Sequence, residues 1–352
     1  MFLKLTAVAA AAITATGLGL WGAAPWADGN VHWRLTLDQG SVADGKVIAT
    51  GEREAWAFGW KVLGLGAWVP MVDGPHRPLA FRWDGTRWRR SDLPVERGHI
   101  TAVAASSPSR VWALAGTDGG PSVLRWDGRA WTVVRRLPGT AGMGGLVAAD
   151  DDLWVFGDRR AWHYDGATWS ERALPFQASR ASARSASDIW ALDAEAPRVH
   201  HFDGKGWTPT DLAPALPKGS RPSGGPSTGL NGPRLTAVTA GPSGVWITGE
   251  AGVSSFVLSR TGAGWRGEDT SATAGRMGDR AAPVPDGRGG HWFLGSTDVN
   301  GDDSALAHRD ASGRWTRTPV GGGLTSLAAV PGGPLLATGT VGRASGVFRH
   351  LP

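Results

Sequence analysis

Four stretches decide the fold: Trp83-Asp84-Gly85-Thr86-Arg87-Trp88, Trp126-Asp127-Gly128-Arg129-Ala130-Trp131, Tyr164-Asp165-Gly166-Ala167-Thr168-Trp169 and Phe202-Asp203-Gly204-Lys205-Gly206-Trp207. Each reads as an aromatic, Asp-Gly, two free positions and a Trp. Asp-Gly supplies the positive φ of a tight hairpin turn. The flanking aromatics set the register by packing across the pair. Each stretch therefore joins two antiparallel strands, the first ending at the aromatic and the second opening at the Trp. Degenerate copies end at Trp265 and Trp315.

A second set of tryptophans stands ahead of these turns: Trp56, Trp112, Trp154, Trp190, Trp246 and Trp292. They mark another strand in each unit. A further strand of small and β-branched residues precedes it, as in Ile100–Ala105, Leu235–Ala240 and Leu324–Ala329. The result is a four-strand unit, a–b–c–d, recurring at about 36–58 residues, the length of a propeller blade. Six units are complete. A seventh has strand a at Leu324–Ala329, b at Leu335–Gly339 and c at Gly346–His350, and the sequence stops at Pro352 without a strand d. The missing piece stands at the other end: Val31–Thr36 resembles Arg314–Thr318, a fourth strand. Donating it would close the ring and cover two open edges at once. The expected fold is all-β, a seven-bladed propeller of four-stranded antiparallel blades, closed by an N-terminal strand. Six blades with unpaired tails is the alternative.

The c–d turns resemble the repeats of secreted bacterial propellers of the kelch/galactose-oxidase and Asp-box types, over nearly the whole chain past its N-terminus. The kelch double glycine is absent, and Arg82, Arg125, His163 and His201 stand where an Asp-box has Ser or Thr. The resemblance implies an architecture, not an activity. A galactose-oxidase copper site needs a Tyr–Cys cofactor, and the chain has no Cys. A sialidase needs a tyrosine nucleophile, and the one tyrosine, Tyr164, fills the aromatic slot of a repeat.

Composition narrows the function further. Absence of Cys removes thiol nucleophiles, thiolate metal sites, disulfides and a lipid-anchored cysteine. Of 36 basic residues five are lysine (Lys4, Lys46, Lys61, Lys205, Lys218) and 31 arginine, the mark of a high-GC bacterial genome. A net charge of +5 over 352 residues gives no concentrated basic face for nucleic acid. Lys4, the apolar run Leu5–Gly22 and the small residues Gly22-Ala23-Ala24 have the outline of a secretory signal. Residues 1–27 are therefore expected to be a signal peptide and 28–352 one propeller domain, secreted, monomeric and off the membrane. An uncleaved N-terminal membrane anchor is the alternative.

Function is expected on one face. In an up-and-down blade the a–b and c–d turns share one face and the b–c and d–a loops the other. The c–d turns are uniformly tight, whereas the long irregular segments Trp60–Pro78, Ser296–Ser304 (both b–c), Pro209–Arg234 and Gly267–Ala281 (both d–a) fall together on the second face. Variable loops on a rigid scaffold are where binding usually resides. Candidate ligand-binding residues there are Trp60, Trp68, His76, Glu96, His99 and Asp118. Asp298, Asn300 and Asp302 resemble part of a calcium loop, but Asp303 replaces its glycine and Arg309 its closing carboxylate, so a solvated acidic turn is the expectation. No cofactor is implied. His-Glu-x-x-His, Gly-x-Ser-x-Gly and phosphate-loop motifs are absent, and Gly139–Gly145 reads as a d–a connection. The repeat tryptophans are expected to pack blade on blade, and Arg89-Arg90 and Arg135-Arg136 to guard outer edges. The first functional reading is an exported, non-catalytic propeller recognising a protein, glycan or cell-wall partner. The alternatives are a hydrolase or lyase using Glu96, His99 or Asp118, and a purely structural scaffold.

Overall fold

The computed structural model describes residues 32–42, 44–63, 76–117, 119–139, 141–220, 232–262, 264–277, 282–296 and 303–351. Seven four-stranded antiparallel sheets form a ring. β1 (Trp33–Asp38) comes first in the chain. Blade 1 then holds β2 (Lys46–Gly51), β3 (Glu54–Val62), β4 (His76–Trp83) and β5 (Trp88–Ser91). Blade 2 is β6 (His99–Ser107), β7 (Arg110–Gly116), β8 (Ser122–Trp126) and β9 (Trp131–Arg136). Blade 3 is β10 (Ala141–Ala149), β11 (Asp152–Gly157), β12 (Arg160–Tyr164) and β13 (Trp169–Ala173). Blade 4 is β14 (Ala178–Ser185), β15 (Asp188–Asp193), β16 (Arg198–Phe202) and β17 (Trp207–Asp211). Blade 5 is β18 (Arg234–Gly241), β19 (Gly244–Ala251), β20 (Ser254–Thr261) and β21 (Gly264–Asp269). Blade 6 is β22 (Val284–Pro285), β23 (His291–Ser296), β24 (Ser304–Arg309) and β25 (Trp315–Pro319). Blade 7 is β26 (Leu324–Ala329), β27 (Leu335–Val341) and β28 (Ala344–His350), with β1 as its outer strand.

The expected closure is therefore present. Trp33 pairs with His350, Arg34 with Arg349 and Leu35 with Phe348. The Trp33 ring packs with Leu294, Leu306 and Phe348, filling the space between blades 6 and 7. Thr36 stitches the seam to blade 1: its hydroxyl donates to the Val347 carbonyl at 3.0 Å and accepts the Trp88 indole N–H at 3.1 Å.

The repeated Asp-Gly turns work through both residues. Gly85, Gly128, Gly166 and Gly204 have φ of 92°, 99°, 93° and 90°. The Asp carboxylate accepts the two backbone N–H groups that follow the glycine, as Asp165 does from Ala167 and Thr168 at 2.9 and 2.6 Å. Those donors favour the charged form. They hold Asp165 at about 2, with Asp310 also at about 2 through Ser312 and Arg314.

The second-strand tryptophans of blades 1 to 4 pack on the turn aromatics of the next blade. Trp56 meets Trp126 and Trp131 edge-on at 4.9 and 5.1 Å, and Trp154 meets Phe202 at 5.1 Å. The Arg or His that precedes the turn aromatic completes the unit. His163 stacks on Trp154 at 4.2 Å and lies 3.5 Å from Asp152; His201 stacks on Trp190 at 4.2 Å and meets Asp188 at 3.1 Å. In blade 1 Arg82 pairs with Glu54 at 2.7 Å. In blades 1, 3 and 4 an acid two residues before the Trp, the Trp, and a basic third-strand residue thus form one packing unit, which accounts for two of the nine histidines.

Three expectations change. Trp60 and Pro78 belong to strands, not to the loop, because β3 and β4 extend and pair Trp60 with Pro78 and Val62 with His76. The Gly139–Gly145 run is not all connection: β10 opens at Ala141, with an irregularity before Gly145. Of the arginines expected to guard edges, Arg135 also lies over the Trp169 ring at 5.2 Å, and Arg89 pairs with Asp84 at 3.1 Å.

Candidate functional site

The first strands β2, β6, β10, β14, β18 and β26 contact one another around the ring and so surround its central channel. The two faces separate as expected. A side chain on Gly85, Gly128, Gly166 or Gly204 would meet Arg53, Ser109, Asp151 or Ser187 respectively, each in the a–b turn of the same blade. The c–d and a–b turns therefore share a face, leaving the b–c and d–a loops on the other.

On that second face a cleft of about 550 Å³ opens between blades 1 and 2. Its wall comes from four segments: His76 at the start of β4, Arg97-Gly98-His99 where the chain enters β6, Gly116-Thr117 with Gly120-Pro121 in the b–c loop of blade 2, and Gly139. Backbone bonds fix these segments to one another. Gly98 N–H donates to the His76 carbonyl at 2.7 Å, and Leu137 N–H to that of Pro121 at 2.8 Å. Thr117 closes its own loop, its hydroxyl donating to the Gly120 carbonyl at 2.6 Å. Gly98 has φ 112°, and a Cβ there would overlap the Gly116 carbonyl oxygen, so only glycine lets the two loops approach.

The structure thus brings His76 and His99 into one cleft and adds Arg97 and Thr117. Trp60 supports it from behind, its ring edge-on to His76 at 6.1 Å and 89°. Glu96 is exposed beside Arg97 and outside the cleft wall. Trp68, Asp118, Asp298, Asn300 and Asp302 lie outside the described residues. Among the described residues no three His, Asp or Glu side chains are grouped to hold a metal ion. Two imidazoles, a guanidinium, a hydroxyl and glycine-exposed backbone can hold an acidic or strongly polar group, and imidazoles can also move protons.

No protein-family model matches the chain, and no curated protein matches it in sequence. Solved structures match its fold. A catalytically inactive variant of virginiamycin B lyase from Staphylococcus aureus with quinupristin aligns at a TM-score of 0.62 and 12% identity, over 90% of this chain and 98% of that one. YCF48 from Cyanidioschyzon merolae aligns at 0.56 and 12% identity over 91% and 99%, and YCF48 bound to D1 peptide at 0.55 and 11% over 91% and 97%. The extracellular domain of a hybrid two-component system from B. thetaiotaomicron aligns at 0.55 and 12%, over 86% of this chain and 37% of that one. At such identities the likeness establishes the seven-bladed propeller and nothing finer.

Proposed function

We propose that this propeller is a non-catalytic recognition module that takes an acidic or polar segment of a partner protein in the cleft between blades 1 and 2. The observation that carries this reading is the convergence of His76, Arg97 and His99, from two blades, on the face where the loops are longest. A binding mode is further supported by the comparison with YCF48, a propeller of the same fold solved with a peptide. Glycan or cell-wall ligands are the other occupants that such a polar cleft would accept. Export as a monomer after removal of residues 1–27 belongs to the same proposal, and so does kinship with kelch-like or Asp-box propellers. No helix among the described residues is long and apolar enough to cross a membrane.

One observation favours a second reading, a lyase or hydrolase: two imidazoles line one cleft in a fold shared with virginiamycin B lyase. Acid–base catalysis needs two groups held at different protonation states. Peptide and glycan arrays probed with the wild type and with Arg97→Ala/His99→Ala test the first reading, which expects binding that the variant loses. Release of array probes by the wild type, with turnover abolished by His99→Ala, would instead establish the second.

A further inference from the structure

The seam carries a feature the cleft does not use, on the opposite face of the ring. β1 and β28 place Arg34 directly opposite Arg349, one step from the Trp33–His350 pair, and both arginines are exposed. Blade 1 has the same pair at the same register: Arg82 opposite Arg89, one step from Trp83 and Trp88. There two carboxylates neutralise it. Glu54 meets Arg82 at 2.7 Å, and Asp84 meets Arg89 at 3.1 Å. Glu54 stands two residues before the second-strand Trp56, and Asp84 directly after the turn aromatic Trp83. The equivalent positions in blade 7 are Pro334, two before Leu336, and Leu351, directly after His350. Blade 7 thus keeps both guanidiniums and has neither carboxylate.

Among the described residues no carboxylate pairs with Arg34 or Arg349. On the outer strands of the adjacent blade 1, Asp84 is engaged by Thr86, Arg87 and Arg89, and Asp92 by Arg90 at 3.8 Å. Like charges directly opposite each other on paired strands repel. In the other five blades a Ser or Thr stands on one side of this pair: Thr132, Ser170, Thr208 and Thr316 face Arg125, His163, His201 and His308, and Ser259 faces Arg266. Only at the closure do two arginines meet with no acid between them.

We propose that the seam is an oxyanion site, in which a carboxylate or phosphate group of a small ligand bridges Arg34 and Arg349 and takes the place of the two acids of blade 1. Planar guanidinium forks suit both groups. Leu336, opposite Arg349 on β27, packs with Trp83 and Trp88, so the site lies beside blade 1. Arg34 belongs to the first strand of the ring and Arg349 to the last, so a bound anion clamps the ring shut. The site is independent of the cleft between blades 1 and 2, and failure of one reading leaves the other intact.

Hydrogen exchange of the full chain at constant ionic strength tests it, with chloride replaced stepwise by millimolar inorganic phosphate or citrate. Exchange of the β1 amides is expected to slow several-fold in at least one series, as binding to the closed ring requires, while that of the β13 amides stays unchanged. Slowing by phosphate alone assigns a phosphate ligand, and slowing by citrate a carboxylate one. Arg34→Gln and Arg349→Gln, both at exposed positions, should each weaken the fitted anion affinity by about fivefold or more, the scale of one hydrogen-bonded contact. Equal anion response in the wild type and both variants would overturn the proposal. So would no response of β1 to either anion, or equal slowing of β1 and β13.

Discussion

Removal of the Trp33 side chain should open the ring at its seam. Trp33 is 4% exposed and touches residues of both blades 6 and 7, and its ring sits edge-on to His350 at 5.0 Å. Trp33→Ala leaves a cavity walled by β-sheet that cannot collapse, which places the cost at about 3–5 kcal/mol. Thr36→Val, nearly isosteric, breaks a smaller link. The Trp88 N–H loses its acceptor and the Val347 carbonyl one donor, for about 1–2 kcal/mol. Equilibrium urea denaturation followed by tryptophan fluorescence reads both values, and the two variants should rank in that order. Trp33→Ala within about 1 kcal/mol of wild type would refute the reasoning, because it would mean that β1 rests on blade 7 without closing it.

The other predictions are independent of the seam. His291 is buried against Trp246, with centroids at 4.3 Å, and burial lowers it to about 4 despite the opposing field of Asp286. Its neutral form therefore stabilises the fold fully above the unfolded value of about 6.5. That contribution is lost as pH falls from about 6.5 to about 4 and amounts to about 3 kcal/mol; His291→Phe should flatten the pH dependence of stability in that window. Gly166→Ala, at φ 93° with a new Cβ 3.1 Å from that of Asp151, should cost about 1–2 kcal/mol in the same denaturation assay. Trp112→Ala, 2% exposed in the core, should cost about 3–5 kcal/mol. Half-buried Trp60→Ala should cost clearly less in a parallel melt.

The blade count, the split seventh blade and the loop-rich face were legible because they rest on local chemistry. Asp-Gly turns repeat in four units and paired tryptophans in six, and Trp33 mirrors Trp315. The pairing of Asp152 with His163 was also present in the sequence, as an acid two residues before Trp56, Trp154 and Trp190, but becomes readable only once the strand register brings the two together. The cleft was half legible. His76 and His99 stand beside long connections, but Gly98 matters through a close approach to the Gly116 carbonyl that only the pairing of β6 with β7 creates, which no local pattern carries. The bulges in β6, β14, β18 and β26, where Thr101 and Ser179 donate to second-strand carbonyls, were not legible at all, because they follow from strand pairing and not from a local pattern.

The central claim, recognition through the b–c/d–a face, is tested most directly by one array experiment with two double variants. Arg97→Ala/His99→Ala alters the cleft, and Arg87→Ala/Arg129→Ala alters exposed turns on the opposite face. Peptide and glycan arrays, read beside thermal melts, should show wild-type binding retained by the turn variant and lost by the cleft variant, with both as stable as wild type. Binding that survives in the cleft variant, or disappears in the turn variant, would contradict the account.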